Sequence, residues 1–301
     1  MSREKTLFIY NPNSGTGAIK NKLSQVIDVF MHAGLDVNIF ATGKQGDATK
    51  IIRHKLGKKS ARIRRVICAG GDGTLHEVVQ GIMELPPDKR PPCGYIPMGT
   101  MNDFSTGLNL PKRIVRAAEI ASGSICDSYD IGAMDGEPFV YVAGFGAFTS
   151  VSYGTSQQAK NIIGPLAYFA KGIGELASIK NIHVHVETEK EEWEDDVIIG
   201  LVTNAKSVAG QKLFRKANVK LDDGLFECTF VRTPKNPIEG TRIIGSYMTS
   251  DFGPQIKTFL CNKITIETDE PVPYTMDGEN GGMRKRVKIV NHQQAIRFYH
   301  N

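Results

Sequence analysis

Three glycine-rich turns, each set between an apolar β-rich run and an amphipathic stretch, constrain this chain more than any other feature. Thr6–Tyr10 (TLFIY) leads into Asn11-Pro12-Asn13-Ser14-Gly15-Thr16-Gly17, and Arg65–Ala69 (RVICA) into Gly70-Gly71-Asp72-Gly73-Thr74. Gly94–Pro97 leads into Met98-Gly99-Thr100-Met101-Asn102-Asp103-Phe104. Periodicity predicts a further strand over Leu35–Phe40 and helices over Ile19–His32, Asp47–Leu56, Leu75–Met83 and Ile114–Ala121. Strands alternating with helices in this way predict a parallel sheet covered on both faces, a three-layer α/β domain over residues 1–127.

From about Tyr129 the texture changes to strands joined by tight turns. Asp135-Gly136 suits a type I′ hairpin turn. Ile182–Glu187, Val197–Thr203, Leu225–Val231, Ile264–Glu267, Val287–Val290 and Ala295–Tyr299 read as strands, predicting an antiparallel β-sandwich over 128–301 whose last segment returns to the first domain. Gly164-Pro165 opens a predicted helix with Leu166, Phe169, Ala170, Ile173, Leu176 and Ala177 on one face. That stripe either packs on the β domain or meets lipid.

Composition excludes several classes. With 41% hydrophobic and 23% charged residues in 301, the chain is an ordinary globular one rather than disordered or collagenous. No run approaches the roughly 18 apolar residues of a spanning helix. Five cysteines without a C-x-x-C pair argue against a disulfide framework or zinc site and for a reducing, cytoplasmic compartment. The net charge of +5 gathers in two clusters, one from Arg53 to Arg65 and one of Arg284, Lys285, Arg286 and Lys288. Each is either a solvated face or an attraction for anionic phospholipid or nucleic acid.

In open parallel sheets, ligands bind at the carboxyl ends of the strands, where all three turns fall. Glycines let backbone N–H groups approach phosphate oxygens, and a following helix adds its positive end. Gly70–Thr74 has neither the Lys-Ser/Thr of a Walker A loop nor G-x-G-x-x-G. A carboxylate at Asp72 would repel an unescorted phosphate, so a cation or a hydroxyl donor must accompany the anion, as in Mg²⁺-assisted phosphoryl transfer.

GGDGTLHEV, IPMGTMNDF and NPNSG together resemble the diacylglycerol kinase catalytic domain, shared with sphingosine and ceramide kinases and more distantly with NAD kinases. YGTSQQAKNIIGPLAYFAKG, LVTNAKSVAG, KLDDGLF and MDGENGG extend the similarity over nearly the whole chain, to the soluble diacylglycerol kinases of Gram-positive bacteria. The resemblance implies that Asn11, Pro12, Asn13, Ser14, Gly15, Thr42, Gly71, Asp72, Gly73, Thr74, Leu75, His76, Glu77 and Thr100 line an ATP site. It implies that Asp72, Asp103 and Glu279 hold the catalytic Mg²⁺ through waters, and that either Asp277 or Glu279 takes the substrate's proton. Asp-Gly-Glu occurs twice, and the Asp135-Gly136-Glu137 copy reads as a solvent hairpin.

Lys220–Leu225 (KLDDGL) is an acidic turn by composition. By resemblance it binds a structural Mg²⁺ through Asp223 and the carbonyls of Lys220 and Leu225. His183 and His185 fall on one face of a strand and read as structural. The implied reaction gives phosphatidic acid and ADP from diacylglycerol and ATP, the nucleotide being held by both domains. Other lipids or sphingoid bases, NAD, or a lipid-binding role without turnover are the competing readings. The resemblance further implies peripheral attachment to the inner face of the membrane, no nucleic-acid partner, and a homodimer.

Overall fold

The computed structural model describes residues 3–57, 62–147, 180–206, 219–249 and 252–301. The chain divides into two compact units, Met1–Ile131 with Gln293–Asn301, and Gly132–His292.

Unit 1 is built on a parallel sheet in the order β2 (Leu35–Ala41), β1 (Glu4–Tyr10), β3 (Arg65–Gly70), β4 (Cys93–Pro97). Thr6 stands beside Val37, Phe8 beside Ile67, and Ile67 beside Gly94. Every residue of β3 and β4 is buried, as a sheet covered on both faces requires. The interior strand residues Phe8, Ile67 and Ile96 share a core with Val26 and Phe30 of α1 (Leu23–His32) and with Ala117, Ala118 and Ala121 of α5 (Ile114–Ala121). Helices α2 (Asp47–Leu56) and α3 (Asp72–Met83) pack together through Gly81, where an added Cβ would lie 2.7 Å from Ile52 Cβ. A short α4 (Asp103–Gly107) follows the third turn. Because the strands are parallel, the turns after β1, β3 and β4 leave the sheet at one edge.

Unit 2 is antiparallel. Strand β11 (Ile256–Cys261) pairs with β10 (Phe226–Arg232), which pairs with β9 (Glu192–Thr203). The two halves of β9 pair with β8 (Ile182–Thr188) and β7 (Val142–Gly146), which lie end to end against β12 (Lys263–Met276). Next comes β13 (Glu279–Tyr299), and β5 (Cys126–Met134) forms a hairpin with β6 (Glu137–Phe139). One core takes residues from β11 (Cys261) through to β13 (Val287, Ile289), so the sheet curls around a single interior.

Several boundaries differ from the sequence expectations. The helix expected over Ile19–His32 is a 3-10 turn (Ala18–Asn21) and then α1, because Gly17 enters it left-handed at φ 70°. Helix α3 starts at Asp72 rather than Leu75, which puts Asp72, Gly73 and Thr74 on its first turn. Helix α6 (Pro237–Thr249) and strand β11 were not anticipated. The separate runs Val287–Val290 and Ala295–Tyr299 belong to one long β13, whose bend at Gln294 takes φ 52°. The predicted helix after Gly164-Pro165, and Lys58 and Lys59 of the basic cluster, lie outside the described residues.

Candidate active site

The three turns of unit 1 meet backbone to backbone. Gly15 has φ 57°, and a Cβ there would sit 2.2 Å from the Met98 carbonyl oxygen. A Cβ on Gly99 would lie 2.7 Å from Gly71 Cα. Only glycine allows this approach. Hydrogen bonds then fix the register: Met98 N–H donates to Gly70 O at 2.8 Å, and Gly71 N–H donates to Ser14 Oγ at 3.2 Å.

Asn102 is the clasp of the assembly. It stands left-handed at φ 54°, a conformation Asn tolerates better than most residues. Its Oδ1 accepts Gly99 N–H at 2.7 Å and its Nδ2 donates to Gly99 O at 2.7 Å, closing the third turn. Its backbone N–H donates to Asp72 Oδ2 at 2.9 Å, tying that turn to the second. Tyr95 contributes its hydroxyl to Asn102 Oδ1 and Gly70 O, both at 3.3 Å, and burial followed by the nearby Asp72 carboxylate holds its phenol well above the ordinary tyrosine range. Asp72 therefore lies at the positive end of α3 with one oxygen already engaged. Asp103 is buried in the first turn of α4, the residue after the clasp.

Around this centre Asn13, Gly15 and Thr100 are exposed, Asn11, Pro12, Gly71 and Gly73 are half-buried, and Ser14 and Thr74 are buried. Asn11 Oδ1 accepts Asn13 N–H at 2.9 Å, which shapes the first turn. Thr42 joins from the end of β2, its N–H donating to Tyr10 O at 2.9 Å. Leu75 and His76 differ from the rest, because their side chains are buried along α3. Glu77 sends its carboxylate to the backbone of Gly46 and Ala48 at 2.7 and 3.0 Å. Asn102 and Tyr95 were not among the expected site residues. Asn102 could have been suspected as a non-glycine residue of the third turn that tolerates positive φ.

Unit 2 carries the other expected residues. Both Asp-Gly-Glu copies form the same turn: Asp135 and Gly136 have φ 49° and 87°, Asp277 and Gly278 have 51° and 82°. Their side chains separate them. Asp135 accepts Lys288 N–H at 2.9 Å, and Asp135 and Glu137 both pair with Arg284, at 3.2 and 2.8 Å. Asp277 is 3% exposed, its Oδ2 accepting Val140 N–H at 2.7 Å and its Oδ1 accepting Tyr141 and Val142 N–H at 2.9 and 3.1 Å. Glu279 opens β13, half-buried. In the Lys220–Leu225 turn, Asp223 is exposed and accepts Leu225 N–H at 3.1 Å, while Gly224 turns the chain at φ 79°.

His183 and His185 face the acids of β9. His183 pairs with Asp196 at 3.0 Å, and His185 with Glu192 and Glu194, each at 3.1 Å. The Asp196 hydrogen bond raises the His183 pKa. Among the described residues, no group of three or more His, Cys, Asp or Glu side chains is gathered for a metal. No helix among them is long and apolar enough to cross a membrane.

A parallel sheet edge lined by glycines, N–H donors and carboxylates suits an anion accompanied by a hard cation. Comparison with known proteins gives that chemistry a family. Residues 5–134 match the diacylglycerol kinase catalytic domain. The diacylglycerol kinase of Staphylococcus carnosus is 36% identical, over 99% of this chain and 95% of that protein. The diacylglycerol kinase of Bacillus subtilis is 33% identical, over 93% and 91%. A crystal structure of a diacylglycerol kinase from Bacillus anthracis superposes with a TM-score of 0.77 at 25% identity, covering 100% of this chain and 98% of that one. With identity above 30% along nearly its whole length, and with all three glycine turns inside the matched catalytic domain, this chain belongs to the diacylglycerol kinase family.

Proposed function

We propose that this protein transfers the γ-phosphoryl group of ATP to the free hydroxyl of diacylglycerol, producing phosphatidic acid and ADP. The observation that carries the reading is the junction of the three glycine turns around Asp72, in a chain of this family. Backbone N–H groups of the first and second turns and the positive end of α3 bind the phosphates. Thr42 and Thr100 complete the nucleotide's surroundings.

Asp72, Asp103 and Glu279 each carry the hard oxygen donors that Mg²⁺ takes, directly or through water, and are the residues that would hold it. When bound, Mg²⁺ neutralises charge on the phosphate oxygens as the transfer proceeds. The diacylglycerol oxygen forms its bond to the γ-phosphorus as the bridge to the β-phosphate breaks, ADP leaves, and the hydroxyl proton passes to a carboxylate. Glu279 is that carboxylate. Both oxygens of Asp277 are engaged by three backbone N–H groups, which suits it to hold the Val140–Val142 backbone rather than to exchange a proton.

The turn at Lys220–Leu225 suits a second, structural Mg²⁺ held by the exposed Asp223 carboxylate and the carbonyls of Lys220 and Leu225. Diacylglycerol resides in a bilayer, so the protein meets it at a membrane surface, where anionic phospholipid attracts cations at about 1 kcal/mol each. In the second basic cluster Arg284 is committed to Asp135 and Glu137 and Arg286 pairs with Glu267 at 3.8 Å, which leaves Lys285 and Lys288, beside a 64% exposed Met283, to serve this contact.

Labelled ATP offered with mixed micelles of diacylglycerol, ceramide or sphingosine, and separately with NAD, tests the reading. Labelled phosphatidic acid is the expected product, and Glu279→Gln should lower its formation by at least about 100-fold, the contribution expected of a general base. Phosphorylation of NAD instead, or an unimpaired Glu279→Gln enzyme, refutes it.

A further inference from the structure

Family resemblance sets Glu77 among residues that line the ATP, yet an acidic side chain facing a triphosphate would repel it. The structure gives that charge another duty. Glu77 Oε1 accepts Gly46 N–H at 2.7 Å and Oε2 accepts Ala48 N–H at 3.0 Å, while Thr49 Oγ1 donates to the Glu77 carbonyl at 2.8 Å. Gly46 and Ala48 flank the start of α2, so the carboxylate sits at that helix's positive end and satisfies N–H groups that have no partner within the helix. The same turn is closed from inside by Asp47, whose Oδ2 accepts Gly43 and Lys44 N–H, both at 2.9 Å. Those two bonds hold the Asp47 carboxyl below its ordinary pKa.

The two acids differ in reach. Asp47 acts within five residues, whereas Glu77 joins segments about thirty residues apart and belongs to α3, whose first turn is Asp72–Thr74. Thr42 immediately precedes the clamped turn and is hydrogen-bonded to β1 through its own N–H. We infer that Glu77 is a positioning residue for the nucleotide: it fixes the Thr42–Gly46 turn to the helix that carries Asp72, and so sets where Thr42 stands relative to the phosphate-binding turn. The inference deepens the ATP-site reading and rests on it.

Two variants and two measurements test it on the full-length protein. In Glu77→Ala both acceptors vanish. In Glu77→Gln one oxygen remains and the new NH₂ opposes the second N–H. The KM for ATP should rise about tenfold in Glu77→Ala, equivalent to about 1.4 kcal/mol, and by less in Glu77→Gln. The fall in kcat at saturating ATP should stay within about threefold, the pattern of lost binding rather than lost chemistry. Amide hydrogen exchange at Gly46 and Ala48 should quicken about tenfold, as local opening becomes easier. If Glu77→Ala does not fold, Glu77→Gln decides the matter with the same two measurements.

Unchanged exchange at Gly46 and Ala48, or a fall in kcat with KM unmoved, overturns the inference. A wild-type protein that phosphorylates no lipid from ATP overturns the kinase reading instead. The exchange rates report the clamp independently of that outcome.

Discussion

Removing the Asp277 carboxylate should unfold unit 2 more readily than its place in a two-residue turn suggests. Its Oδ1 and Oδ2 together accept three backbone N–H groups at 2.7 to 3.1 Å, and its own N–H donates to Val142 O at 2.8 Å. Asp277→Ala leaves those three donors without their acceptor at a site only 3% exposed. At about 1–3 kcal/mol per orphaned buried donor, simple addition would reach as much as about 9 kcal/mol. Water entering the vacated space recovers part of that loss. We therefore expect about 3–5 kcal/mol, at the upper end for single substitutions. Asp277→Asn keeps an oxygen for Tyr141 and Val142 and sets an NH₂ against Val140 N–H, a loss of about 1–2 kcal/mol. Asp277→Gly relieves the left-handed backbone, worth about 1 kcal/mol, and should fall slightly short of the alanine variant. Urea unfolding with a constant m value measures all three. An alanine variant within 1 kcal/mol of wild type, or alanine and asparagine variants of equal stability, refutes the reasoning. Glu279→Gln on the same turn serves as contrast, its stability staying within about 0.5 kcal/mol of wild type.

Two further outcomes follow from packing. Gly15→Ala must both hold φ 57° and find room for a Cβ 2.2 Å from Met98 O, so the first and third turns separate. About 2–4 kcal/mol of stability should be lost, together with ATP affinity, and thermal unfolding with and without nucleotide checks both; an alanine enzyme with unchanged melting temperature contradicts the observed contact. Among the five cysteines, Cys68, Cys93, Cys228 and Cys261 are buried, and burial pushes Cys93 up to about 12, while Cys126 alone is half-exposed. A thiol reagent at pH 8 should therefore titrate one fast thiol per native chain, lost in Cys126→Ser, and two or more fast thiols would contradict the packing.

What the sequence made legible was local. TLFIY, RVICA and CGYIP are near-continuous apolar runs, Thr6 and Arg65 at their starts excepted, because both faces of a parallel sheet are covered, and the glycines between them mark turns whatever lies beyond. The links between turns were not legible. Asn102 reaches Asp72 across thirty residues and Glu77 reaches Gly46 across thirty-one, and no spacing rule spans such a gap. In unit 2 the unanticipated α6 begins PIEG and carries two glycines, a composition too weak in helix formers to signal a helix from sequence. Strand β12 contains Pro271 and Pro273, and its pairing with β13 shifts register between Glu267 and Val272, so only Ile264–Glu267 showed an alternating pattern.

The two Asp-Gly-Glu turns show why backbone shape alone is a poor guide to a site. They match within a few degrees of φ, since Asp-Gly is what a type I′ turn selects wherever it occurs. Environment divides them. At 135–137 the two acids share Arg284, and Asp135 also accepts Lys288 N–H, so both carboxylates are engaged by their own hairpin's neighbours. At 277–279 the two acids differ: Asp277 turns inward to satisfy three N–H groups, and Glu279, two residues on and half-buried at the start of β13, is held by none of those donors. A rigid, fully hydrogen-bonded carboxylate at Asp277 ties the turn to the Val140–Val142 backbone and so fixes the direction in which β13 emerges from it.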